Sequence, residues 1–151
     1  MTRERDEVFA AFYAEHWPAV AGYCAGLVRS GHVGDELAQE AFTRLYARWG
    51  RPKDPLAYTY RIAHNLAFDH HRALARERQQ LVEPAAEDTD PALLDAVRRL
   101  PLSLRDVTLL HYFADLPLTV VAQALRRPLG TVKRQLHDAR QQLAETLKEV
   151  P

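Results

Sequence analysis

The sequence predicts an all-α protein built as two small helical domains joined by an acidic linker, the C-terminal domain carrying a helix-turn-helix. Three observations predict it. Apolar residues recur at three-and-four spacing through most of the 151 residues, which puts them on one face of successive helices. That periodicity fails in QQLVEPAAEDTDP, from Gln79 to Pro91, where two prolines and four acids replace it. Beyond it, Leu118 to Leu143 holds two short helical patterns around a tight turn, the arrangement that presents a second helix to the major groove. The expected domains are residues 1–78 and 92–151, with residues 79–91 between them.

Composition bounds the function. Each domain is close to the size at which one hydrophobic core is barely sufficient, so partner surfaces are expected to matter. The chain has 20 basic and 20 acidic residues, but they are segregated. Residues 1–50 carry 5 Lys/Arg against 7 Asp/Glu and residues 51–80 carry 6 against 3; residues 81–95 carry 0 against 5, and residues 96–151 carry 9 against 5. Two basic blocks flank an acidic bridge, and phosphate responds to the local field rather than the total. One cysteine, Cys24, excludes an intramolecular disulfide and offers no metal cluster, which favours an intracellular setting. No apolar run reaches the roughly 20 residues of a membrane span, and Met1 to Ala10 lacks the shape of a signal peptide. A soluble, cytoplasmic protein without a cofactor is expected.

The first helix is expected from about Asp6 to Arg29, with Phe9, Phe12, Tyr13, Trp17, Val20, Tyr23, Cys24, Leu27 and Val28 as its apolar stripe. Pro18 should bend or break it. Ser30, Gly31 and Gly34 mark a turn. A second helix then starts near Gly34 or Asp35 and runs to Trp49, burying Leu37, Ala41, Phe42, Leu45, Tyr46 and Trp49. Asp35, Glu36, Gln39, Glu40 and Arg44 stay outside, and the acids suit the first turn of the helix dipole. Asp54 as N-cap and Pro55 at the first helical position begin the third helix. Its inner stripe is Ala57, Tyr60, Ala63, Leu66, Ala67 and Leu74; Arg61, His64, Asn65, His71, Arg72, Arg76 and Arg78 lie outside, with Tyr58 and Phe68 at the edges. Cations interleaved with aromatics suit single-stranded or melting DNA, because charge attracts the backbone and rings hold unstacked bases.

In the second domain, Leu93, Leu94, Val97 and Leu100 define one helix that Pro101 stops. Ser103 with Asp106 reads as a capping-box start for the next, whose stripe is Leu104, Val107, Leu110 and Phe113. Thr119 is placed to cap a short helix with Val121, Ala122 and Leu125 inside. After Arg126 to Gly130, the last helix buries Leu129, Val132, Leu136, Ala139 and Leu143, with Pro128 suited to its first turn. Its other face carries Thr131, Lys133, Arg134, His137 and Arg140, donors able to reach base edges and phosphates.

These residues resemble extracytoplasmic-function sigma factors of the sigma-70 superfamily. GTVKRQLHDAR is similar to that family's GTVKSRLHRAR, and DELAQEAF to its DAEDLVQETF. AYTYRIAHNLAFDHHR is similar to AWLYRIARNLALDHLRR, matching at Ala57, Tyr60, Arg61, Ile62, Ala63, Asn65, Leu66, Ala67, Asp69, His70 and Arg72. LDAVRRLPLSLRDVTLLHY resembles the family's lead into its promoter-reading helices. The resemblance covers Val8 to Leu147. It implies a factor, not an enzyme, that binds the clamp and flap of core RNA polymerase and directs it to promoter DNA. Asp35, Glu36, Gln39, Glu40 and Arg44 would face the clamp. Arg51, Lys53, Tyr58, Arg61, His64, Asn65 and Arg72 would meet the minus-10 element, and Thr131, Lys133, Arg134, His137 and Arg140 the minus-35 element. The linker, with Glu83, Glu87, Asp88 and Asp90, would thread toward the active-centre cleft, and an anti-sigma partner is implied.

The departures are local. Tyr58 stands where the family has Trp. Arg126 and Arg127 occupy a turn where it has Gly and an apolar residue. Arg134, Gln135 and Asp138 replace a small, a basic and a basic residue, and Asp138 should repel phosphate. Two other classes compete. A plain helix-turn-helix regulator, or an interaction protein that keeps the sigma fold, would share much of the pattern. A phosphoesterase built on Asp69, His70 and His71 would need further ligands on strand ends, and this context is helical.

Overall fold

A computed structural model describes residues 2–77 and 91–148. Among these residues seven α-helices follow in order: α1 (Thr2–Val28), α2 (Gly31–Ala47), α3 (Pro55–Glu77), α4 (Pro91–Arg98), α5 (Leu102–Thr108), α6 (Leu118–Leu125) and α7 (Leu129–Lys148), with a π turn at Leu109–Phe113 extending α5. The acids assigned to the linker, Glu83, Glu87, Asp88 and Asp90, lie outside the described residues.

The first three helices form one bundle. Val20, Leu27, Ala38, Phe42, Leu45, Ala57, Tyr60, Ala63 and Ala67 meet in its core. Phe12, Tyr13 and Trp17 cluster around Phe42, with ring centroids 4.9 to 6.3 Å from it. Cys24 is fully buried among them, and burial pushes its thiol up to about 12. That places it with structural, unreactive thiols.

The backbone of this half differs from expectation at two places, and Tyr46, expected on the buried face of α2, is exposed. Pro18 lies inside an unbroken α1. The proline removes one donor, but both Pro18 and Ala14, whose carbonyl it releases, are exposed. Water can satisfy that carbonyl, and the packed residues on either side keep the helix continuous. Gly34 is likewise in a helix, not a turn. α2 begins at Gly31, capped by Ser30, whose Oγ accepts from the Val33 N–H at 3.1 Å. The reversal itself falls on Arg29, at φ +61°. A Cβ on Gly34 would come within 2.6 Å of the Ala25 backbone, so this glycine sets how closely α1 and α2 cross. Replacing Gly34 with Ala is expected to destabilise the protein by about 2 kcal/mol despite the better helix propensity. Chemical denaturation would show it.

The start of α3 matches the sequence. The Asp54 carboxylate accepts from the Ala57 N–H at 3.0 Å, two residues beyond Pro55.

In the second half, Val97, Leu100, Val107, Leu110, Val121, Ala124, Val132, Leu136 and Ala139 share a core. Neither expected cap forms. α5 follows Pro101 and α6 follows Pro117, both without a side-chain cap. Thr119 is within α6, and the Asp106 carboxylate is committed to Arg127 and His64 instead. The π turn, closed by Ala114 N–H to Leu109 C=O at 3.0 Å, adds a residue to the winding and turns Phe113 out of the expected stripe, so that it is exposed.

The two halves also pack on one another. α6 lies against α3, while α5 and the π turn lie against α1. One apolar cluster runs through both. Gly26 permits the approach: a Cβ there would meet the Leu109 side chain at 2.8 Å.

Candidate polymerase and nucleic-acid interfaces

The five residues expected to dock on polymerase form one exposed strip on α2. Asp35, Glu36, Gln39, Glu40 and Arg44 all face outward, because Ala38, Ala41, Phe42 and Leu45 occupy the opposite face. Neighbours organise the strip. Glu36 pairs with His32 at 3.0 Å, Glu40 with Arg44 at 2.9 Å, and Tyr13 donates its hydroxyl to Gln39 Oε1 at 3.0 Å. Such exposed pairs add little stability. They orient charge for a partner.

The residues expected at the minus-10 element divide into two groups. Arg51, Lys53, Asn65 and Arg72 are exposed, with Arg72 paired to Asp69 one turn back. Tyr58 is half-buried against the first core. Arg61 and His64, expected outside, are instead at the contact with the second half. Arg61 Nη2 donates to the Gln123 carbonyl of α6 at 3.0 Å. Partial burial, and then the nearby Arg126 charge, lower the Arg61 pKa from its usual value. The His64 side chain, 14% exposed, lies against Phe68 with ring centroids 4.1 Å apart and donates Nε2 to Asp106 Oδ2 at 3.1 Å.

The face expected at the minus-35 element is presented by α7. Val132, Leu136 and Ala139 point into the core, so Lys133, Arg134 and His137 point out. Thr131 is half-buried at the first turn. Asp138 is exposed beside these cations, as expected. Arg140 is exposed but engaged: Nε donates to the Tyr112 hydroxyl, and the guanidinium carbon lies 5.5 Å from that ring's centroid. Leu129 is more exposed than expected.

The turn before α7 explains the arginines that depart from the family pattern. Arg126 adopts φ +55°, ψ +46° and ends α6, the left-handed conformation that glycine reaches at less cost. Arg127 turns inward. Nη1 donates to Asp106 Oδ1 at 3.0 Å, Gln135 Oε1 at 3.1 Å and the Ser103 carbonyl at 3.2 Å, while Nη2 donates to Asp106 Oδ2 at 2.6 Å.

A second polar junction was not visible in the sequence. The last carbonyls of a 27-residue helix lack partners of their own. Leu27 at the end of α1 receives two: Arg105 Nη1 from α5 at 2.9 Å and His71 Nε2 from α3. Arg105 also donates Nη2 to Leu100 at 3.0 Å. Burial, then repulsion from Arg29, lower Arg105 to about 10. His71 was expected outside. Burial lowers its pKa from 6.5, outweighing the Leu27 carbonyl, which favours the protonated ring; Arg105, His70 and Arg29 lower it further.

The sign of that shift gives a pH dependence. Below about pH 6.5 the unfolded chain takes up a proton at His71 before the folded chain does, so stability falls with acidification until the folded ring titrates too. Replacing His71 with Gln keeps a donor but removes the titration. Urea midpoints between pH 7 and 5 are expected to fall less steeply for that variant than for the parent.

Among the described residues, no group of three or more His, Cys, Asp or Glu is placed to hold a metal, and no helix is long and apolar enough to cross a membrane. Asp69, His70 and His71 do not converge as ligands: Asp69 pairs with Arg72, and His71 turns to Leu27.

Both halves of the chain match known families. The sigma-70 region 2 family matches residues 12–77, and sigma-70 region 4 matches residues 91–143. An RNA polymerase sigma-E factor of Streptomyces antibioticus is 33% identical over 135 residues, covering 82% of this chain and 75% of the relative. The ECF RNA polymerase sigma factor SigW of Bacillus subtilis is 26% identical over 153 residues, covering 84% and 82%. Among solved structures, the sigma factor RpoE bound to the anti-sigma factor NepR, from Bartonella quintana, has the same fold with a TM-score of 0.82 at 18% identity, over 96% of this chain and 99% of that one.

Proposed function

Because the chain belongs to the extracytoplasmic-function group of the sigma-70 family, and so is an RNA polymerase sigma factor acting in transcription initiation, we propose that the α2 strip docks on the polymerase clamp and that α3 and α7 read the promoter. Asp35, Glu36, Gln39, Glu40 and Arg44 make the clamp contact. Arg51, Lys53, Tyr58, Arg61, His64, Asn65 and Arg72 meet the minus-10 strand, where cations hold the backbone and Tyr58 is the aromatic available to an unstacked base. Thr131, Lys133, Arg134 and His137 reach minus-35 base edges, and Arg140 lies nearer the backbone. The second domain also takes the polymerase flap. The factor has no catalysis of its own and works in the cytoplasm.

The observation that carries this reading is the exposed cationic face on the N-terminal half of α7, opposite buried Val132, Leu136 and Ala139. It is the geometry of a recognition helix.

The packing of α6 on α3 adds a condition. Arg61 and His64 meet DNA only after the two halves separate, so the closed chain is an inactive form that polymerase opens. An anti-sigma partner, like the one bound to the RpoE neighbour, would act by holding the halves together.

Run-off transcription with core polymerase from the source organism and fragmented genomic DNA tests the reading. Discrete new starts are expected with the protein present. They should vanish when Glu36 and Glu40 are changed to Lys, or Lys133 and Arg134 to Ala, in folded variants. No new starts with active core would overturn it. Polymerase binding would then indicate a sigma-like interaction protein, and its absence a plain DNA-binding regulator.

A further inference from the structure

Resting on that reading of α7, we infer that Arg127 is a positioning residue for promoter recognition: through the buried Asp106 carboxylate it fixes the first turns of α7, occupying the place that a basic side chain at position 135 would fill. Arg127 stands in the turn between α6 and α7, and Gln135 stands on α7.

The structure brings the two together. Arg127 forks onto both Asp106 oxygens at 3.0 and 2.6 Å, and the same Nη1 reaches Gln135 Oε1 at 3.1 Å. The pair is well enclosed, with the Asp106 side chain 0% and the Arg127 side chain 18% exposed. A two-pronged bond of this kind fixes orientation as well as distance. Asp106 belongs to α5, Ser103 lies one turn earlier on it, and Gln135 lies on α7, in the helical turn that carries Lys133 and Arg134. One guanidinium therefore ties the scaffold helix, the turn and the reading helix. It contacts no DNA itself, since its donors are directed inward. Arg126 beside it is exposed and shares none of these contacts, so the two turn arginines are not equivalent.

Position 135 provides a rescue. A longer basic side chain there, with Arg127 cut back, would extend from the Gln135 site toward the same carboxylate. Three full-length variants, Arg127→Ala, Arg127→Lys and the double variant Arg127→Ala with Gln135→Arg, are measured in two ways. Amide hydrogen exchange reads the order of residues 129–137 in the free chain. Footprinting reads minus-35 protection by holoenzyme on a promoter found by run-off transcription.

Arg127→Ala, which leaves Asp106 with His64 as its side-chain partner, is expected to speed exchange most in the first two turns of α7, by at least about tenfold and by more than in α2, and to weaken minus-35 protection by at least about tenfold. Arg127→Lys, which keeps the charge without the fork, should fall between it and the parent. The double variant should recover both readings to within about threefold of the parent. Parental exchange and protection in Arg127→Ala would overturn the assignment, as would a double variant no better than the single one. If Arg127→Ala does not fold, Arg127→Lys decides: faster exchange confined to α7 supports the assignment, and parental exchange removes it. The exchange measurement needs no promoter, so a failure of the promoter reading is seen separately, as absent start sites.

Discussion

Replacing Asp106 with Ala is expected to destabilise the protein by about 3 to 5 kcal/mol, the range for removing one partner of a buried ion pair. The Asp106 side chain is 0% exposed and accepts from Arg127 twice and from His64 once. Without it, the Arg127 guanidinium keeps its desolvation cost and loses the charge that offset it. The Gln135 and Ser103 oxygens stay, but neither is charged. Combining Asp106→Ala with Arg127→Met should recover most of the loss, because an apolar pair leaves no stranded charge. Urea denaturation of the three proteins measures this directly. A loss below 1 kcal/mol for the single variant would show that water reaches the site and that the pair is not enclosed as described. Recovered stability need not bring back promoter reading, since Met cannot pin the turn of α7.

Replacing Gly26 with Leu is expected to separate the two halves and uncover the α3 face. The site is suitable because the atoms nearest to an added Cβ all belong to Leu109, in the second half, at 2.8 to 3.5 Å. A larger side chain acts there as a wedge, and Gly26 is not among the proposed DNA-binding or polymerase-binding residues. The apparent affinity for single-stranded DNA scales with the fraction of molecules that are open. If closed molecules dominate, the variant should bind a minus-10 non-template oligonucleotide about tenfold more tightly than the parent, with a larger hydrodynamic radius. Tighter binding should be lost when Arg61 is also changed to Ala. An unchanged radius and unchanged affinity would mean that the closed packing does not limit access to Arg61 and His64.

Both experiments concern contacts between elements distant in the chain, and that is where the sequence stopped being informative. Within an element it was a good guide. Asp54 and Pro55 were legible as a helix start because a capping carboxylate and a missing N–H act over one turn. The outward strip of α2 was legible because a 3.6-residue period fixes which side chains share a face. The same reasoning put Lys133, Arg134 and His137 on the open side of α7, where they are. Local patterns also misled where a distant partner competed. Asp106 follows Ser103 at capping spacing, yet a buried carboxylate beside two donors gains more from them than from an exposed helix end. Gly34 resembles a turn residue, but it is small because another helix crosses there.

The sequence by itself determined the all-α class, the order of the two sigma regions, the outward strip of α2 and the cationic face of α7, since these follow from short-range periodicity and from motifs of fixed spacing. Only the tertiary structure decided that Arg61 and His64 are covered by α6 and α5, that Arg105 and His71 together cap the end of α1, and that Arg127 turns inward to Asp106 rather than outward to DNA. The reason is physical. Helix periodicity is a property of the chain's own geometry, whereas the partner of a buried charge or of an orphan carbonyl is chosen by which elements pack together, and those partners lie 21 to 78 residues away along the chain.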